Sequence, residues 1–86
     1  MIAFIKGTVA AIVHDAIVVE QGGIGWNIAF SHPEKIHLQE TVTIYTYMHY
    51  TDAELALYGF LTKEEKDLFM RLLSVKGLGP KTAMNM

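Results

Sequence analysis

The stretch Ile17-Val18-Val19-Glu20-Gln21-Gly22-Gly23-Ile24-Gly25-Trp26-Asn27-Ile28-Ala29-Phe30 carries two apolar runs on either side of a Gly-Gly pair. Ile17, Val18 and Val19 form a short β-branched run, and Ile24, Trp26, Ile28 and Phe30 then alternate with Gly25, Asn27 and Ala29. An apolar side chain at every second position turns one face to a core, and two glycines accept the positive φ of a tight hairpin turn. A β-hairpin is predicted here, and it sets the fold class for the residues up to Phe60.

Residues 41–50 are rich in β-branched and aromatic side chains, with Val42, Ile44, Thr46, Met48 and Tyr50 on one face. Leu55 and Leu57 belong to a further strand after a turn at Thr51-Asp52-Ala53. The opening segment, residues 2–13, is long for one strand and contains Gly7, which predicts a strand bent at a barrel corner. His32-Pro33-Glu34-Lys35-Ile36 reads as a turn or a single helical turn. About five strands with turn signals roughly every ten residues predict a small closed or nearly closed barrel, with an open sandwich as the alternative.

The period changes after Phe60. Thr62 followed by Glu65 has the spacing of a capping box, in which hydroxyl and carboxylate satisfy each other's backbone N–H, and Glu64 and Glu65 put acids in the first turn. Leu68, Phe69, Leu72 and Leu73 then form the stripe of one buried helix face. Gly77 and Gly79 stop that helix, and Pro80 opens another, since proline at the first helical position gives up only an N–H that lacks an intrahelical partner. The second helix has seven residues and no C-cap, so the 86-residue chain reads as a fragment of a longer protein.

Composition bounds the function. A hydrophobic share of 51% supports a packed core, and no apolar run approaches the roughly 20 residues of a membrane-spanning helix. The absence of cysteine excludes disulfides and thiolate metal sites and agrees with a cytoplasmic location. Charge is divided along the chain: residues 1–68 hold four lysines against nine acids, a net −5, whereas residues 69–86 hold Arg71, Lys76 and Lys81 with no acid, a net +3. A nucleic-acid partner is therefore expected at the C-terminal end. His14, His32, His37 and His49 lack the i, i+3 or i, i+4 spacing of a helical metal pair, so neither metal nor cofactor is expected. Trp26 is expected in the core, and Tyr45, Tyr47, Tyr50 and Tyr58 in core or subunit contacts, with a base-stacking platform as the alternative.

The informative motif is Val75-Lys76-Gly77-Leu78-Gly79-Pro80-Lys81-Thr82-Ala83. Two glycines at the mouth of a helix let a ligand approach the backbone with no β-carbon in the way. The N–H groups around Gly77, Gly79 and the next helical turn then face outward at the positive end of a helix dipole, a phosphate site. Leu78 points inward to lock the two helices, while Lys76 and Lys81 add charge without base specificity. The order apolar, x, Gly, apolar, Gly, x, x, Thr, Ala is that of a helix-hairpin-helix motif, and it follows an amphipathic helix as that motif requires. A plain turn between helices, with glycine as C-cap and proline at the first position, is the alternative reading. No nucleophile–base pair or nucleotide-binding loop stands out, so a non-enzymatic binding role is expected. The alternatives are a fragment of another helix-hairpin-helix DNA repair enzyme and a module that serves mainly in oligomerisation.

From end to end the chain resembles the RuvA family. The likeness runs through Met1-Ile2, Lys6-Gly7, Gly22-Gly23-Ile24-Gly25, Leu57-Tyr58-Gly59-Phe60, Glu64-Glu65 with Leu68-Phe69, and Leu73-Ser74-Val75 leading into Gly77-Leu78-Gly79-Pro80-Lys81. The resemblance implies an OB-fold five-stranded barrel over residues 1–62 and, over 63–86, the first helix-hairpin-helix of a truncated second domain. It implies structure-specific binding of Holliday (four-way) junctions in recombination and repair, as a homotetramer working with the RuvB motor, which would supply ATP hydrolysis, and the RuvC resolvase. Phosphate contacts would fall to Lys76, Gly77, Leu78, Gly79, Lys81 and Thr82. An acidic pin aimed at the junction centre would fall to Asp52 and Glu54; the family's pair of adjacent acids is broken here by Ala53, and otherwise these are solvated turn residues.

Overall fold

The computed structural model describes residues 1–76 and 78–85, with Lys76 known by its backbone alone. Five strands, β1 (Phe4–Val13), β2 (Ala16–Gln21), β3 (Ile24–Ala29), β4 (Thr41–Tyr50) and β5 (Leu55–Phe60), precede two helices, α1 (Lys63–Lys76) and α2 (Pro80–Met84). The strands close into a barrel in the order β1-β2-β3-β5-β4. Closure settles the choice between barrel and sandwich in favour of the barrel, as the OB fold implied by the resemblance requires.

The β2–β3 hairpin forms at the Gly-Gly pair, with φ of 61° at Gly22 and 85° at Gly23. Those values are the left-handed pair that a two-residue turn needs and that side chains with a Cβ resist. Glu20 closes the turn by accepting the Gly23 N–H at 2.7 Å through Oε2.

β1 is shared between two neighbours. Its first half, from Phe4 to Thr8, pairs with β4, and its second half, from Thr8 to Val13, pairs with β2. The bend expected at Gly7 lies slightly later: the register with β2 slips between Val9 and Ala11. Gly7 serves a different purpose, because a β-carbon there would collide with the Glu20 carbonyl on β2. The barrel is completed by a short parallel contact between β3 and β5, Ile28 opposite Leu57 and Ala29 opposite Tyr58.

Ile5, Val9, Ile17, Val19, Ile28, Phe30, Ile36, Val42 and Ile44 fill the interior. Thr46 is buried among them without penalty, since its hydroxyl donates to the Ile2 carbonyl at 2.6 Å and its N–H to that of Ala3 at 3.0 Å. A second cluster, Tyr58, Phe60, Phe69 and Ala83, joins the outer face of the barrel to both helices. Trp26 is only half-buried at the edge of the core, a partial departure from the expected core position. No helix among the described residues is long and apolar enough to cross a membrane.

Candidate nucleic-acid interface

The helical hairpin begins at the capping box. The Thr62 N–H donates to Glu65 Oε1 at 3.2 Å, and the Glu65 N–H donates back to Thr62 Oγ1 at 3.1 Å. α1 then lands on the barrel through Phe69, which is 2% exposed. Its ring meets Phe60 at 4.9 Å, Tyr47 at 5.4 Å and Tyr58 at 5.7 Å between centroids. The apolar stripe is narrower than expected. Leu72 and Leu73 pack with Phe69, but Leu68 is 56% exposed. The barrel is convex and meets only the sector centred on Phe69; Leu68, about 100° round the helix, faces away from it.

Leu78 packs inward against the same cluster, with Ala83 and Met84 from α2, so the hairpin is pinned from both sides. Gly79 is exposed, at φ −71° and ψ 159°, with Pro80 at the first helical position behind it. Any residue can adopt this backbone; what glycine contributes is open space, for an added β-carbon would have nothing within 4 Å. The Gly79 carbonyl accepts the Ala83 N–H at 3.0 Å, the first bond of the helix. The Thr82 N–H has no backbone acceptor among the described residues. Lys81 and Thr82 are exposed, and Arg71 is exposed on α1. Lys76 ends α1. Gly77, the first glycine of the expected motif, lies outside the described residues, as does Met86.

The acidic turn is a second built feature. The Thr51 N–H donates to the Glu54 carbonyl at 2.8 Å, while Thr51 Oγ1 accepts from Ala53 N–H at 3.2 Å and Glu54 N–H at 3.1 Å. Three bonds from one residue hold the turn, with Asp52 and Glu54 exposed. Glu54 and Leu55 form one wall of a groove of about 490 Å³ whose other walls include Asp15, Asn27 and, from α2, Lys81. One residue from each predicted set, Glu54 and Lys81, distant in sequence, thus lines a single groove. Tyr58 also lines it, and its hydroxyl is held above the usual tyrosine pKa, first by burial and then by the negative charge of Glu54.

Two features escaped the sequence. Tyr50 at the end of β4 and Leu55 at the start of β5, cross-strand partners on the inner face, are both exposed, so of the core and subunit-contact roles expected for Tyr50 the core one does not hold. Trp26 Nε1 is buried and has no hydrogen-bond partner among the described residues. The adjacency of Tyr50 to the polar turn signalled the first; no pattern signalled the second.

Residues 1–59 match the family model described as RuvA N terminal domain. Over 84 residues the chain is 44% identical to the Holliday junction branch migration complex subunit RuvA of Bacillus velezensis, covering 98% of this chain and 42% of that protein. The protein of the same description from a Roseiflexus species is 45% identical over 89 residues, covering 100% and 45%. That from Acholeplasma laidlawii is 40% identical over 85 residues, covering 99% and 46%. The chain spans less than half the length of these curated relatives.

Proposed function

Because the chain belongs to the RuvA N-terminal domain family, we propose that it binds DNA at four-way junctions without catalysing a reaction, as part of a branch migration complex. One observation carries the reading: the exposed Gly79 turn stands beside Lys81, the Thr82 N–H next to it has no described backbone acceptor, and Lys81 shares a groove with Glu54 of the β4–β5 turn. In this reading residues 1–62 are the scaffold and residues 63–86 the grip. Lys76, Gly77, Leu78, Gly79, Lys81 and Thr82 meet phosphate oxygens, Leu78 through its backbone and Gly79 by leaving the approach clear. Such contacts position a duplex without reading its sequence.

Asp52 and Glu54 do the opposite work. Their charge repels phosphates, so a strand held at Lys81 is steered away from the turn, and several copies around one junction would concentrate that field at its centre. One hairpin with three nearby basic residues, Arg71, Lys76 and Lys81, gives weak, salt-sensitive duplex binding; four linked copies regain affinity through effective concentration. The partners in this reading are the junction, further copies of the chain, the RuvB motor and the RuvC resolvase, all in the cytoplasm. The motor, not this chain, hydrolyses ATP.

The test is a gel-shift titration of a four-way junction against a linear duplex of the same arm sequence, repeated at rising salt. Tighter binding to the junction, lost steeply with salt, is expected; equal affinity for the two, or no binding to either, overturns the reading.

A further inference from the structure

The β4–β5 turn is fixed by one side chain. Thr51 Oγ1 accepts the N–H groups of Ala53 at 3.2 Å and Glu54 at 3.1 Å, and the Thr51 N–H donates to the Glu54 carbonyl at 2.8 Å. Asp52 and Ala53 are thereby enclosed between two bonded limbs, which run into the cross-strand pair Tyr50 and Leu55. A threonine suits this place, since its branched side chain prolongs the extended backbone of β4 while its hydroxyl serves the loop.

The carboxylates on this turn are left free where its backbone is not. Glu20, Glu40 and Glu65 each accept a neighbouring backbone N–H, and Glu34 meets the His32 ring at 3.2 Å. Among the described residues neither Asp52 nor Glu54 has an ion-pair or hydrogen-bond partner for its carboxylate, and both are exposed. The charge of Glu54 reaches Tyr58 on the groove wall, so the place at which it is held matters to the groove. Repulsion between the two acids, and between copies gathered around one junction, works to open the turn. Among the described residues the Thr51 hydroxyl is the one side-chain group bonded so as to oppose it.

We propose that Thr51 is a positioning residue for junction recognition: its hydroxyl holds Asp52 and Glu54 at the fixed places from which they repel phosphates. This rests on the DNA-binding reading above and adds to it the group that gives the acidic turn its shape. Ala53 separates the two acids, which puts one carboxylate inside the turn and the other on its β5 limb, and the bonds to the Ala53 and Glu54 N–H groups fix both. Charge on a mobile loop is spread over many positions and separates a junction from a duplex poorly. The same charge held in one place sharpens that contrast.

The test uses the whole chain as wild type, Thr51→Val and Thr51→Ser, each alone and combined with Asp52→Asn and Glu54→Gln. Valine keeps the branched shape and removes the hydroxyl; serine keeps the hydroxyl. Affinities for a four-way junction and for a linear duplex of the same arm sequence are measured at one salt concentration, and amide hydrogen exchange is followed at Ala53 and Glu54. Thr51→Val is expected to speed exchange at those two amides while β1 and β2 keep theirs. It is also expected to lower the junction-to-duplex affinity ratio by about threefold, the order of one lost hydrogen bond. Thr51→Ser is expected to stay near wild type in both. With the acids neutralised, Thr51→Val is expected to leave the ratio unchanged, because no charge remains to be placed. A wild-type ratio in Thr51→Val overturns the positioning role and leaves the DNA-binding reading standing. An equal fall in the neutralised background also overturns it, since Thr51 would then act other than through the acids. So does a Thr51→Ser that behaves like Thr51→Val, or exchange at Ala53 and Glu54 that is indifferent to the hydroxyl. A wild type that binds junction and duplex alike defeats the reading beneath, and the first titration shows it.

Discussion

The ring of Phe69 on α1 stacks against that of Tyr58 on β5, centroids 5.7 Å apart and planes inclined by 29°. Tyr58 is the residue that closes the barrel opposite Ala29 and also lines the groove. One aromatic contact therefore joins barrel closure, groove wall and helical hairpin.

Phe69→Ala tests that coupling. Removing a buried aromatic ring costs about 3–5 kcal/mol, and here the loss falls on the seat of both helices. Chemical denaturation should show the helical signal melting well before that of the wild type; an unfolding free energy within about 0.5 kcal/mol of wild type, the usual range for surface changes, would mean that the helices are held elsewhere.

Gly59→Ala tests barrel closure. A β-carbon there would sit 2.5 Å from Ile28 Cγ2 and 2.6 Å from Ile44 Cγ2, and both isoleucines are fully buried. Overpacking of this kind costs about 1–3 kcal/mol. Thermal unfolding of the variant should shift down accordingly, and a stability equal to wild type would contradict the packing.

Tyr58 gives a pH dependence with a definite sign. Its folded pKa lies above the ordinary 10.0, through burial and then the charge of Glu54, so the folded state holds the phenolic proton more tightly than the unfolded state does. That contribution is complete below pH 10 and disappears as pH rises from there through the folded value. Tyr58→Phe should lose less stability than wild type on passing from pH 9 to pH 11 (about one unit either side of the reference value). Equal losses would show that Tyr58 does not titrate differently on folding.

Lys81→Ala and the double change Asp52→Asn with Glu54→Gln separate the two sides of the groove. If Lys81 contacts one phosphate, its loss should lower the slope of log affinity against log salt by about one unit. Neutralising the acids should raise affinity for linear duplex and narrow the preference for junctions. An unchanged slope for Lys81→Ala would remove it from the phosphate contacts.

Much of this arrangement could be read from local chemistry. The Gly22-Gly23 turn, the bounds of β4 and the Thr62–Glu65 capping box each depend on residues within a few positions of one another, so the sequence carried them intact. The misplacements arose where distant parts of the chain decide. Leu68 has the spacing of a core residue, but the barrel surface beneath α1 accommodates Phe69 and leaves Leu68 outside. Tyr50 continues the inner face of β4 correctly, yet the barrel ends before it. Gly7 was visible as an oddity, but its reason, the Glu20 carbonyl, belongs to another strand. The groove joining Glu54 to Lys81 has no local signature, because it exists only once α2 is docked.

The proposed grip depends on backbone amides, so the most direct measurement observes them. Two-dimensional ¹H–¹⁵N spectra of the chain should be recorded while duplex or junction DNA is added, for the wild type and for Gly79→Glu. Gly79 has open space around its missing β-carbon, so the variant should keep the wild-type barrel spectrum. In the wild type, the amide signals of Gly79, Lys81 and Thr82 should shift progressively while those of β1 and β2 stay in place, and Gly79→Glu should abolish the shifts. Shifts confined to the strands, or hairpin amides that stay still as DNA binds, would contradict the account.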